Sequence, residues 1–396
     1  MVELFHKVIY TNMWIYIIIY CLILFFAFNK KAENTKIIFN LLLLLLGIFL
    51  CFGYMTGSDW RVYEQLYNSL NFSNLLENVK GFEFGYPITQ IIFKSLGFSF
   101  WPFFIILKII CFSITIKIFK KYLDNNYIWG LLVFFGVFSL DAYIDNPMRN
   151  LIASVIFLSS LKYIEKNKFI KYAFFVLIAS SFHMSALLMI PIYFIKKIRI
   201  TPKLIVLIVS ITIIIAVSSQ FILRQFLFDL FLGSDDFVLK RFNYNYFHES
   251  LYEDRQNLIT IGFIVHYTIF ALIIFKKKEF EKIKNGRLLF NLTFIYIIVY
   301  TISFGVLIFF RMRLFVLVPF CISVAYLPLL YKKLYMKVFS IIMIIIVSFF
   351  TMTSTITGSY KYIPYTSHIS YIFKTKPTFY ERSNYNHHNS PYRQPK

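Results

Sequence analysis

The chain has 396 residues; 59% are hydrophobic, only 15% are charged, and the formal net charge is +22. An ordinary soluble domain is about one quarter charged, so this composition excludes a soluble enzyme, and its 49 Phe and 29 Tyr exclude a disordered chain. The positive excess fits either nucleic-acid binding or the Lys/Arg bias of cytoplasmic loops in a membrane protein, and the placement of the charges decides between them.

A membrane-crossing helix needs roughly 20 mostly apolar residues. In chain order, the sequence predicts such spans over 8–28, 37–55, 100–119, 127–142, 149–164, 203–222, 258–275, 288–309, 314–330 and 338–357. The first is expected to be a retained helix, because its apolar stretch is long and no small-residue cleavage site follows. The stretch 86–98 is too short to cross and carries Lys94, so it reads as a partial or interfacial helix. The stretch 172–195 has the length of one crossing, but His183 and Ser185 sit at its centre and Pro191 follows. It is either one helix or two half-length arms meeting at His183.

Loops 29–36, 117–126, 165–171, 196–203, 276–287 and 332–337 hold 22 basic residues against 5 acidic. Segments 56–86, 141–149, 223–257 and 311–313 hold 9 basic against 12 acidic. Short Lys/Arg-rich loops stay in the cytoplasm, so the second set is expected to face outward. The net charge is then a topology signal, and no nucleic-acid partner is needed. Since 165–171 and 196–203 share a side, 172–195 must enter and leave together, which favours two arms with His183 at the tip. Broken segments of this kind occur only where they are buried in protein or line a wet cavity.

The expected fold is an all-α polytopic integral membrane protein, with about 10–12 transmembrane helices and one or two partial or re-entrant segments. A transmembrane domain is expected over 1–357, with outer loops 56–86 and 223–257. The polar tail 358–396 is expected to be partly disordered, above all in its last stretch, from Glu381 onward.

Cys21, Cys51, Cys111 and Cys321 each lie in an apolar run without a CxxC or Cys/His spacing, so no metal site or disulfide framework is predicted. There is no GxGxxG, P-loop or HExxH sequence, and no cofactor is expected.

Ionisable residues at membrane depth are functional candidates by default. Most of those here fall on the outward face. Asp59 follows a long apolar helix, and Glu83 lies in Glu83-Phe84-Gly85-Tyr86-Pro87. Arg149 follows Asp141, Asp145 and Pro147 and opens a helix, where a cation is electrostatically disfavoured and an anion would be welcome. His183 is flanked by Ser180, Ser181 and Ser185, and Arg311 and Arg313 bracket an expected turn between two helices. Arg forks match phosphate oxygens bidentately, and a carboxylate or imidazole can serve as general base toward a hydroxyl. These residues point to transfer chemistry on a lipid-linked diphosphate, and transport of an anionic solute fits nearly as well.

The ordered set of motifs resembles a known family. Gly57, Asp59 and Tyr63 form G-x-D-x-x-x-Y; Phe82, Glu83 and Gly85 form F-E-x-G. Asn146, Arg149, Asn150 and Ala153 form N-x-x-R-N-x-x-A, and Ser181 to Ala186 form S-F-H-x-S-A. Arg311, Arg313 and Phe315 form R-x-R-x-F, and Pro364-Tyr365 closes the set. The pattern is similar to that of the EpsG family, the Wzy-like polymerases of bacterial surface polysaccharides, across about residues 50 to 370. Asn150 departs from the Gln common at that place and keeps the amide.

The resemblance implies a GT-C-like fold and a glycosyltransferase at the outer face of the bacterial plasma membrane. Its donor would be a growing chain on undecaprenyl diphosphate, moved en bloc onto the non-reducing end of a lipid-linked repeat unit, yielding O-antigen, capsule or exopolysaccharide. Undecaprenyl-diphosphate-linked oligosaccharide and membrane lipid are the implied partners, with a chain-length-regulating co-polymerase and a flippase beside them. Neither metal nor nucleotide sugar is implied. Arg149, Arg311 and Arg313 would hold the diphosphate, and His183, Asp59 and Glu83 would carry the chemistry. Tyr63, Tyr244, Tyr246, His248 and Tyr365 would bind sugar. The alternatives are a flippase or exporter of the same lipid and a ligase-like transferase.

Overall fold

The computed structural model describes residues 2–29, 35–75, 83–145, 147–218, 229, 260–304 and 308–390. Helix α1 spans Val2–Phe28 and α2 Thr35–Cys51. Both have a buried stripe and an exposed one. On α1 the residues Tyr16, Tyr20, Ile23 and Ala27 are buried at helical spacing, while Trp14, Ile18, Leu22 and Phe25 are exposed. On α2, Leu42, Leu46 and Phe49 are buried, while Ile38, Leu41, Leu44 and Leu45 are exposed. Bare apolar stripes of this kind mark a surface that meets something other than water, here the lipid expected from the hydropathy.

The short amphipathic helix α3, Trp60–Ser69, buries Trp60, Tyr63, Glu64 and Tyr67, the i, i+3, i+4, i+7 pattern. Helix α4, Gly85–Ser95, is the expected partial helix. Its Lys94 ammonium donates to the carbonyls of Tyr67, Asn68 and Leu70 at 2.8–3.1 Å, so this lysine closes the C-terminus of α3. Next come α5, Phe100–Leu123, and α6, Tyr127–Phe134, which a π-helical segment extends over Phe135–Ile144. Asp124, at φ 45°, reverses the chain between α5 and α6. Gly130 permits the close approach, since a Cβ there would meet the side chains of Phe119 and Leu123.

The chain continues through α7, Met148–Glu165, and α8, Phe169–Phe182. At His183 the backbone becomes extended, and a 3-10 turn follows over Met184–Met189. The stretch 172–195 is therefore broken at the expected residue. Helix α9 spans Pro202–Ser218, α10 Ile261–Phe275, α11 Gly286–Ile302, α12 Ile308–Leu330 and α13 Leu334–Thr357. Phe100–Ile144, Phe309–Leu330 and Leu334–Thr357 are long and apolar enough to cross a membrane, and seven shorter apolar helices accompany them among the described residues. The only strand-like pairing described is a bridge between Gly53 and Ser367. The protein is an all-α, multi-pass membrane protein.

Two local expectations need correction. Arg311 and Arg313 do not bracket a turn; both lie in the first turns of α12, because the helix begins at Ile308 and nothing between there and Pro319 interrupts it. Part of the tail stretch expected to be disordered is helical, and residues 391–396 lie outside the described residues. Residues Phe379–Asn389 form α14, and Thr378 and Glu381 make a capping box at its start. Polar composition misled there, because one buried charge pair and the cap hold this helix.

The chain divides into two compact units. One comprises Met1–Lys80, Phe84–Val155 and Val338–Lys396, and the other Gly81–Glu83 and Ile156–Lys337. In the first, α1, α13 and the π segment meet at Ser348. The Tyr20 hydroxyl lies 2.7 Å from Ser348 Oγ, and Gly136 faces the Ser348 backbone, where a Cβ would clash. In the second, α11 is buried along most of its length, and Thr293 Oγ1 donates to Ser323 Oγ of α12 at 2.7 Å.

Candidate functional site

In the first unit the site is built where the loop after α2 pairs with the loop after α13. The Tyr54 N–H donates to Thr366 O, the Gly57 N–H to Lys361 O, and the His368 N–H to Phe52 O. Met55 and Gly57 take positive φ to follow this path. Asp59 thereby reaches the start of α3 as its N-cap residue. Ser58 donates from both its N–H (3.0 Å) and its Oγ (2.7 Å) to Asp145 Oδ1, and its Oγ also lies 3.2 Å from Asp59 Oδ1. Lys361 Nζ donates to Asp145 Oδ2 at 3.2 Å. The Tyr362 hydroxyl donates to Asp141 Oδ1 at 2.6 Å. Burial, then the Asp141 and Asp145 carboxylates, push the Tyr362 phenol well above its ordinary pKa, so it remains a donor.

Four residues beyond Asp59 and Asp145, the same two segments bring Tyr63 and Arg149 together. The Arg149 guanidinium sits 6.0 Å from the Tyr63 ring centroid, and Tyr63 packs on Tyr86 at 5.1 Å. The Tyr86 hydroxyl is buried with no hydrogen-bond partner among the described residues. Burial lifts the pKa of that phenol well above the ordinary value; Tyr63 adds to the rise and Arg149 opposes it. This part of the site therefore offers a cation, two carboxylates bridged by a serine, and a lysine on one of them. Tyr365 lies beside it as packing: its ring stacks on Phe49 at 4.5 Å, and its hydroxyl donates to Phe49 O at 2.7 Å.

Behind this site α14 packs on α3. Arg382 and Glu64, both under one tenth exposed, form a bidentate pair at 2.6 and 3.1 Å. Tyr54, Trp60, Trp101 and Phe379 surround the guanidinium with ring centroids at 5.4–5.9 Å. The tail thus lies at the same end of this unit as Asp59.

In the second unit the break after α8 carries His183 and Ser185, and Glu83 lies against it. The Glu83 carboxylate accepts the Met184 N–H at 2.9 Å, and its Oε1 is 3.9 Å from His183 Nδ1. That nitrogen in turn accepts the Ser185 N–H at 3.3 Å, with Ser185 Oγ at 2.8 Å. Glu83, His183 and Ser185 are brought together as one cluster. Arg313 is buried, with its guanidinium 4.0 Å from the Phe310 ring centroid and 5.7 Å from Tyr300; Arg311 is half-buried. Tyr300 stacks on His266 at 4.3 Å, and the His266 Nδ1–H donates to Gly262 O.

Tyr244, Tyr246 and His248, with the rest of loop 223–257 but for Asp229, lie outside the described residues, as do Phe82 and Asn146 of the motifs. Sequence reading missed Lys361, Tyr362 and His266, and the Glu64–Arg382 pair. A partner 216 residues away, as Lys361 is from Asp145, leaves no mark in local spacing. The one available signal was the i, i+4 pair Asp141 and Asp145 directly before Arg149.

No curated protein and no solved structure matches the chain significantly. A family model described as the EpsG family matches residues 36–367, which include every candidate residue named above except those of the tail beyond Tyr365. The match covers most of the chain, and the protein belongs to the EpsG family.

Proposed function

We propose that this protein is a polymerase of bacterial surface polysaccharide, acting on lipid-linked oligosaccharide at the outer face of the plasma membrane. The observation that carries the reading is that Asp59, Glu83, Arg149, His183, Arg311 and Arg313 all fall inside the family match. They are also the cations, carboxylates and imidazole that transfer from a diphosphate needs. The acceptor hydroxyl oxygen bonds to the anomeric carbon of the donor chain. The bond from that carbon to the phosphate oxygen breaks, and its electron pair leaves with undecaprenyl diphosphate. A carboxylate takes the hydroxyl proton. Arg149, Arg311 and Arg313 hold the diphosphate, where negative charge grows as the bond breaks and fixed cations favour the transition state over the ground state. Loop 223–257 would select the sugar.

The test is deletion in the native host with the surface polysaccharide run on a gel. The reading predicts collapse of the ladder to a single repeat unit on its anchor. Loss of even that unit, with lipid-linked repeats accumulating inside, would replace it with the flippase reading. An unchanged ladder would remove both.

A further inference from the structure

We propose that the segment from Ile369 to Lys376 is a membrane foot. Its apolar side chains enter the headgroup region of the bilayer beside the C-terminal end of α2, and Lys374 and Lys376 hold anionic phospholipid there.

Three contacts set the depth of this segment. The Tyr365 hydroxyl donates to Phe49 O at 2.7 Å, Gly53 and Ser367 form a bridge, and the His368 N–H donates to Phe52 O at 2.7 Å. The chain leading to the foot therefore runs alongside the last turn of α2. That helix has 17 residues, apolar after its first turn except for Asn40, and is about 25 Å long at 1.5 Å per residue. The hydrocarbon core is about 30 Å thick. The last turn of α2 thus marks the edge of the hydrocarbon, and Ile369 begins at headgroup level.

The foot has two faces. In the 3-10 turn His368–Tyr371, side chains three apart share a side. His368 and Tyr371 face the protein, with their rings 5.2 and 5.0 Å from the Tyr54 ring. Ile369 and Ile372, also three apart, are 41% and 53% exposed, and Phe373 beside them is 98% exposed. Lys374 and Lys376 follow directly and are exposed too. Residues 366–380 contain no carboxylate. Bare apolar side chains rimmed by cations, at the depth of the headgroups, are what an anionic lipid surface attracts. Three side chains are too small a surface for a stable protein partner, which needs about 800 Å² on each side.

Spin labelling of the full chain, one copy per nanodisc, tests the foot. In the variant Cys21→Ser with Phe373→Cys, the label has one exposed cysteine to react with, since Cys51, Cys111 and Cys321 are buried. Phe373 makes almost no packing contact, so its replacement should leave the melting temperature unchanged. In phosphatidylglycerol discs, collisions of the label with oxygen, which concentrates in lipid, are expected to exceed those with a neutral nickel chelate, which stays in water. More nickel than oxygen collisions would place the segment in water and overturn the proposal. Few collisions with either would mean that protein covers it, and would overturn the proposal equally. Adding Lys374→Glu and Lys376→Glu should lower the oxygen-to-nickel ratio several-fold, because each lysine near an anionic surface favours it about fivefold. The same fall is expected for the unaltered lysines in phosphatidylcholine discs. A ratio that ignores both changes would overturn the assignment of anionic lipid.

Discussion

Arg149 shows how much one side chain can carry. It sits in the first turn of α7, where the helix end already bears partial positive charge, with Tyr63 beneath it. A structure tolerates this arrangement most readily when an anion completes it. Arg149→Lys keeps the charge and loses the fork, and is expected to lower elongation about 10–100-fold at normal protein level. Full activity in that variant would remove the diphosphate role. The Glu64–Arg382 pair is a different case, because both groups are buried and paired with each other. Removing one partner leaves an uncompensated buried charge, so Glu64→Gln or Arg382→Met should each cost about 3–5 kcal/mol, read from denaturation in detergent. The double substitution should recover most of that loss. Of these residues, Asp59, Glu83, Arg149 and His183 were legible in the sequence, because a charge next to an apolar run stands out. Their partners were not. Hydropathy reports depth, and nothing local in the sequence reports that Lys361 meets Asp145 or that Arg382 meets Glu64.

Among the elements, the broken segment after α8 was the most legible. Basic loops on both sides of 172–195 required it to turn back, and a histidine with flanking serines marked the place. The tail was the least legible, because α14 is mostly polar and is held by contacts with α3 some 318 residues away. His368 belongs to that contact, packed at 5.2 Å on Tyr54 and 6.0 Å on Trp101. Burial, then Lys376, holds its imidazole below the ordinary histidine value. The folded state therefore binds fewer protons than the unfolded one, and this stability is present above about pH 6.5 and is lost as pH falls below it. Melting followed from pH 7.5 to 5.5 should show the loss, and His368→Gln should flatten that part of the profile. Glu381, held low by its hydrogen bonds with Thr378, acts only further down, near the ordinary carboxylate range of about 4.3. The π segment is tested by Gly136→Val. A Cβ at this position meets the Ser348 backbone, which cannot swing aside as a side chain would. The variant should lose at least about 1–3 kcal/mol of stability; unchanged melting would contradict the packing described at α13.

For the whole molecule, the sequence and the structure agree on an all-α protein with apolar faces turned to lipid, because a 20-residue apolar run has few other ways to satisfy its backbone. One unit carries Arg149, Asp59 and the Asp145–Lys361 pair, and the other carries Glu83, His183 and the α12 arginines. The most direct test is reconstitution of the purified chain in liposomes with an undecaprenyl-diphosphate-linked repeat unit and no nucleotide sugar. The account predicts a ladder of lipid-linked oligomers that grows with time and disappears in Arg149→Ala. Folded protein that moves the lipid-linked unit across the bilayer and never lengthens it would contradict the account.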